Sequence, residues 1–286
     1  MRRRSAVLAG VVAAVVASHS PAEAHAAALT ATLRWTEWTW DPGVVGGLLL
    51  LVVAYLWMDR RAPASWSERG RFSGGIAALG VALLSPLDAG AHLLFTLHMI
   101  QHMVLLVIAP PLLALALPAG VRRGVIRALA ARSDPGAALP SFEVGALYNG
   151  VMLAWHLPAA YDAALRDPLI HAAEHASFVG AGVLFWSVVL SPLAGDSLSP
   201  GARLLLVGAS DVACFLLALG LLSSSAPLYQ SYLQAPRLWG FSPLEDQRLG
   251  GAAMWVLGQL VYTAPELSLI LTMLGRDDTR GAAFGD

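Results

Sequence analysis

Seven stretches of this chain are apolar enough, for long enough, to cross a lipid bilayer, and they leave little sequence between them. They lie near 41–58, 72–87, 91–118, 142–158, 169–190, 203–223 and 250–274. A helix closes its backbone hydrogen bonds internally and needs about 20 apolar residues to span the hydrocarbon core. The second and fourth stretches reach that length only with their flanks. Charged residues make up 13% of the 286, and mean hydropathy is +0.63; soluble domains are roughly a quarter charged. No strand alternation, heptad seam or low-complexity tract interrupts the pattern. The fold class is therefore all-α: a polytopic membrane helical bundle of about seven transmembrane helices after an N-terminal signal peptide. Pro110–Pro111 should kink the long third stretch or end its regular part.

The first residues, "MRRRSAVLAGVVAAVVASHSPAEAHA", place a basic trio before an apolar run and two small-x-small cleavage sites. The expected layout is a signal peptide over 1–25, an external segment over 26–40, a seven-helix membrane domain over 41–275 and a cytoplasmic tail over 276–286. Arginine placement sets the orientation, because basic residues concentrate on the cytoplasmic side. With the mature N-terminus outside, Arg60, Arg61, Arg69, Arg71, Arg122, Arg123, Arg127, Arg132, Arg203, Arg276 and Arg280 fall inside. Only Arg34, Arg166, Arg237 and Arg248 fall outside. The expectation is a multi-pass protein of a bacterial-type plasma membrane with a cytoplasmic C-terminus.

On this topology six of the eight histidines occupy the outer half of three consecutive spans. His92 opens the third span at the surface; at 1.5 Å per residue His98 lies about 9 Å deeper and His102 about 15 Å deeper. His156 ends the fourth span, and His171 and His175 begin the fifth. His98 and His102 are four residues apart and share one helical face, and His171 and His175 repeat the arrangement. Two facing pairs can bring four imidazoles together. Each histidine alone has a bland explanation, a hydrogen bond to a neighbouring helix; ionisable groups inside a membrane are nonetheless functional candidates.

Imidazole suits copper, zinc and haem iron, and thioether favours Cu(I). The candidate metal ligands are His98, His102, His171, His175 and His156, with Asp211 joining from the sixth span at the depth of His102. Accessory candidates are His92, Met99, Met103, Cys214 and Met254. Met99 and Met103 point about 100° away from their neighbouring histidines, onto a second face. Glu266 in the seventh span is a further intramembrane carboxylate, with an arginine or a polar seam as its candidate partner. The single cysteine excludes an internal disulfide, and the net charge of −1 implies no nucleic-acid partner. No motif for hydrolysis, nucleotide binding or nucleophilic catalysis is present, so an enzyme is not expected. The last outer loop, about 224–249, is the longest external segment; Asp246 and Gln247 in it, and Trp255 just beyond, are the candidate partner-docking residues.

The stretches "HMIQHMVLLVIAPPLLAL", "LAWHLPAAYDAALRDPLIHAAEHASFVGAGVLFW" and "LEDQRLGGAAMW" resemble the signature segments of the multi-spanning CtaG family of cytochrome c oxidase assembly factors. The resemblance covers about 40–275. It falls on His98, Gln101 and His102; on Trp155, His156, Pro158, Tyr161 and Asp162; on Pro168, His171, Glu174 and His175; and on Asp246, Gln247, Met254 and Trp255. It implies a seven-span protein that matures a haem–copper oxidase, at its copper B centre; the expected partners are the subunit carrying that centre, membrane lipid and an external copper donor. Family membership alone does not establish copper binding; the histidine spacing argues for it separately.

Three readings stay open. The chain could hold copper, Cu(I) favoured, and pass it to the oxidase. It could ligate haem between facing histidines as an electron carrier, although two histidines one turn apart do not suit opposite haem faces. Or it could be a metal-free structural chaperone for oxidase subunits.

Overall fold

A computed structural model of the chain describes residues 33, 34, 36, 38–118, 120–122, 124, 140–190 and 198–283. The expected signal peptide, much of the 26–40 segment and Arg123, Arg127 and Arg132 lie outside these residues. The described residues hold eleven α-helices and no strand.

The helix starts follow local chemistry. Helix α1 (Pro42–Arg61) opens with Asp41, whose carboxylate accepts the N–H groups of Gly43 and Val44, both at 2.9 Å, and closes with Arg60 and Arg61 against its negative end. Helix α2 (Trp66–Leu84) opens on a capping box between Ser65 and Glu68. Ser85 caps the short α3 (Pro86–Ala91). A rod follows: α4 (Phe95–Met103), a π-helical turn over Val104–Ile108, and α5 (Ala109–Ala116). Then come α6 (Pro140–Trp155), α7 (Pro158–Arg166), α8 (Pro168–Val189), α9 (Pro200–Ser223), α10 (Gln230–Gln234) and α11 (Pro243–Ala283).

The α4–α5 rod is the axis of the bundle. Helices α2, α8 and α11 pack against it, α6 backs α8, and α9 lies along α11. Phe95, Met99, Met103, Tyr148, Phe178, Phe185, Trp186 and Tyr262 fill the core between them. Gly182 lets α8 approach the rod at its break: a β-carbon there would sit 2.7 Å from Pro110 Cγ and 3.0 Å from the Leu106 carbonyl.

Among the described residues, five helical segments are long and apolar enough to cross a membrane: Pro42–Arg61, Phe95–Ala116, Pro168–Val189, Pro200–Ser223 and Pro243–Gly275. The sequence predicts seven. The other two fall short for visible reasons. Helix α2 carries Glu68, Arg69 and Arg71 near its start, and α6 has 16 residues.

One further expectation needs correction. The third stretch is not one helix from residue 91. The chain turns at His92–Leu94, and α4 begins at Phe95 with Leu94 as a cap that supplies no side-chain acceptor. The cap comes from elsewhere: Asp246, at the start of α11, accepts the N–H of Phe95 at 2.7 Å and of Thr96 at 3.0 Å. His98 therefore lies only one turn into its helix. The double proline acts one turn upstream of itself. Lacking N–H groups, Pro110 and Pro111 cannot bond to the carbonyls four residues back, and the chain passes through the π turn before them. Trp186 Nε1 donates to the freed Leu106 carbonyl at 3.3 Å. The segment from 276, expected as a tail, is helical to Ala283 as a continuation of α11.

Candidate metal centre

The histidines meet where α4 and α8 begin and α6 ends. His98 is buried in the first turn of α4, and His102 lies one turn further in; His171 and His175 occupy the first two turns of α8. Ring centroids of His98 lie 5.4 Å from His171 and 6.4 Å from His175, and those of His102 lie 5.8 Å from His175 and 5.9 Å from His156. The two predicted pairs do face one another.

Between them stands Glu174, fully buried. Its Oε1 is 3.6 Å from His102 Nε2 and its Oε2 is 4.0 Å from His171 Nε2. One donor atom from each of His98, His102, Glu174 and His175 lies within 4.8 Å of every other. The His102–Glu174 spacing is close to the edge of a tetrahedron with about 2.1 Å bonds, roughly 3.4 Å. Two donors on one ion with about 2.1 Å bonds stand at most roughly 4.2 Å apart, so spacings within 4.8 Å need at most a small inward shift of the four groups. His98 Nε2, both ring nitrogens of His102, His156 Nε2 and both Glu174 oxygens have no hydrogen-bond partner among the described residues. Buried polar atoms are almost always satisfied; the four donors of His98, His102, Glu174 and His175 are close enough together to hold a metal ion.

Neighbouring groups set the tautomers. Tyr232 of α10 donates its hydroxyl proton to the Ala91 carbonyl at 2.6 Å, so its oxygen accepts from His98 Nδ1 at 2.8 Å. His156 Nδ1 lies 2.7 Å from the Met152 carbonyl, which can only accept. Both rings thus keep Nε2 as a bare lone pair, the form a metal requires. Asp162 of α7 anchors α10 by accepting from the Gln230 and Ser231 N–H groups and the Ser231 hydroxyl. Gln101 ties α4 to the Ala82 carbonyl at 2.9 Å and Asp88 at 2.8 Å. Phe178, 4.7 Å from His102, and Tyr161, 5.0 Å from His98, wall the cluster with apolar surface.

His92, at the α3–α4 turn, is exposed, with its ring 5.3 Å from that of His171. Asp211 is not in the cluster: its carboxylate takes a bond from Gln259 of α11 at 2.5 Å. Depth along a span does not fix azimuth, and this face of α9 turns to α11. Glu266 faces the same seam, its Oε1 3.7 Å from where a β-carbon on Gly208 would sit. Met99, Met103, Cys214 and Met254 are core residues. Met103 Cε and Cys214 Sγ approach Gly258 of α11, on the second face that the spacing predicts. Asp246 and Gln247 are buried and spend their polar groups inside the chain. Asp246 caps α4 and accepts the Thr96 hydroxyl at 2.7 Å; Gln247 accepts the Leu228 N–H at 2.7 Å. Offered as docking residues, both turn inward instead; Trp255 is 42% exposed. Glu174 is the residue that ligand counting in the sequence misses. Its signal was there: it lies three residues after His171, beside His175, on a face that should be apolar if it met only lipid.

No curated protein and no solved structure matches this chain. The family model for the cytochrome c oxidase caa3 assembly factor (Caa3_CtaG) matches residues 47–275. Those residues span all three motif segments and every helix that builds the cluster, and the chain belongs to the cytochrome c oxidase caa3 assembly factor family.

Proposed function

We propose that this protein is a copper-handling assembly factor that holds an ion among His98, His102, Glu174 and His175 and gives it to the oxidase subunit that carries the copper B centre. His156 and His171 border the site as exchange ligands. Glu174 carries the proposal. A carboxylate removed from water costs several kcal/mol unless a cation answers it, and imidazoles converge on this one. Its charge also bears on the ion. Neutral imidazoles and one carboxylate balance a monovalent cation, whereas a divalent one leaves net charge in a low-dielectric site. Cu(I) is favoured on that ground, not on sulfur ligation, because the methionines face α11. Haem fits less well: Phe178 and Tyr161 pack against the rings where a macrocycle would have to lie.

The chain crosses the membrane seven times, α2 and α6 included, with its N-terminus outside and its tail from 276 cytoplasmic. The cluster then lies in the outer half of the bundle, on the side from which an external donor would load it. The reading is tested on oxidase purified from cells carrying His98→Ala or His175→Ala. The expected enzyme keeps its polypeptides and haems but lacks copper B. Full copper occupancy with both variants would contradict transfer, and a haem deficit would favour haem delivery.

A further inference from the structure

The inner cluster is almost sealed, yet one histidine beside it faces the surrounding medium. His98, Glu174 and His102 are 0–3% exposed, whereas His92 is exposed. An imidazole bound at about 2.0–2.1 Å puts its centroid roughly 3.2 Å from the ion. Two rings sharing an ion therefore stand about 5–6.4 Å apart. The His92–His171 spacing of 5.3 Å falls in that range. His171 in turn sits 5.4 Å from His98, centroid to centroid, and its Nε2 is 4.0 Å from Glu174 Oε2. The other Glu174 oxygen faces His102 in the inner set.

We infer that His92 and His171, with Glu174 Oε2, form a second, outer station through which the metal ion reaches and leaves the buried site. The inference rests on the metal-holding function proposed above. The ion is caught by His92 and His171. The bond to His92 then breaks as one to His98 forms, the bond to His171 gives way to one to His175, and Glu174 passes the ion from Oε2 to Oε1, where His102 completes the set. Each step exchanges one ligand for another, so the ion's oxidation state is unchanged. A shared carboxylate spares the ion a moment without counter-charge while it moves through apolar surroundings.

A station on the path alters rates in both directions and leaves the equilibrium of the buried site alone. The test uses the detergent-purified full chain and Cu(I) supplied from, and withdrawn by, a coloured Cu(I) chelator in stopped flow. His92→Ala should slow loading and release by the same factor, about 10-fold or more, with final occupancy as in the unaltered protein. Exposure of His92 makes a folding defect in this variant unexpected, and His92→Gln should behave alike. Wild-type rates in His92→Ala would overturn the station. Reduced final occupancy would also overturn it, making His92 a ligand of the tight site. An unaltered protein that takes up no copper would defeat the metal-holding function itself, and the station with it.

Discussion

Tyr232 holds His98 from the short helix α10: its oxygen lies 2.8 Å from His98 Nδ1, while its proton goes to the Ala91 carbonyl at 2.6 Å. The bond reaches across 134 residues and fixes which nitrogen of His98 is bare. Tyr232→Phe keeps the ring and removes the acceptor. Outer partners of metal-bound histidines are worth about 10–100-fold in affinity. Copper affinity by chelator competition should fall by roughly that factor, with helical content unchanged by circular dichroism. Unchanged affinity would show that His98 needs no help to present Nε2.

Asp246 supplies the cap that α4 lacks. Removing it as Asp246→Ala strands the N–H groups of Phe95 and Thr96 in a buried place, at about 1–3 kcal/mol per group. Thermal unfolding in detergent should drop by several degrees and copper retention should fall with it. Asp246→Asn, which keeps an acceptor oxygen, should lose less of both. Equal losses in the two variants would point to the charge rather than the hydrogen bonds.

Asp211 should be dispensable for metal. It is engaged by Gln259, away from the histidines. Asp211→Asn is predicted to retain copper as the unaltered protein does. A fall in copper content would require a route from α9 to the cluster that this packing does not provide.

Met99 and Met103 should behave as core. Methionine to leucine is close to volume-conserving and usually costs under about 1.5 kcal/mol. The double Met99→Leu, Met103→Leu variant is predicted to bind Cu(I) with unchanged affinity. A large loss would place a thioether in the coordination sphere and undo the charge-balance argument.

Much of this was legible in the sequence because period and composition are local. The histidine pairs at four-residue spacing name their own face, and the apolar runs name their helices. Hidden features depend on partners far along the chain. The break at His92–Leu94 is stabilised by Asp246, some 150 residues away, so nothing near residue 94 announces a helix start. Asp211 illustrates the opposite error. Its depth could be read from its position in the span, but its direction depends on how α9 rolls against α11. Glu174 is hard to read as a ligand from the sequence, because a lone carboxylate between His171 and His175 has no spacing of its own to mark it.

Glu174→Gln addresses the central claim most directly, since it keeps the side chain's shape and removes the one negative charge in the cluster. The measurement is copper per chain in detergent-purified protein after anaerobic Cu(I) loading and removal of free metal. The account predicts about one ion per unaltered chain, as one four-donor set allows, and little or none in Glu174→Gln that still folds by circular dichroism. Equal copper in the two proteins, or none in either, would contradict it.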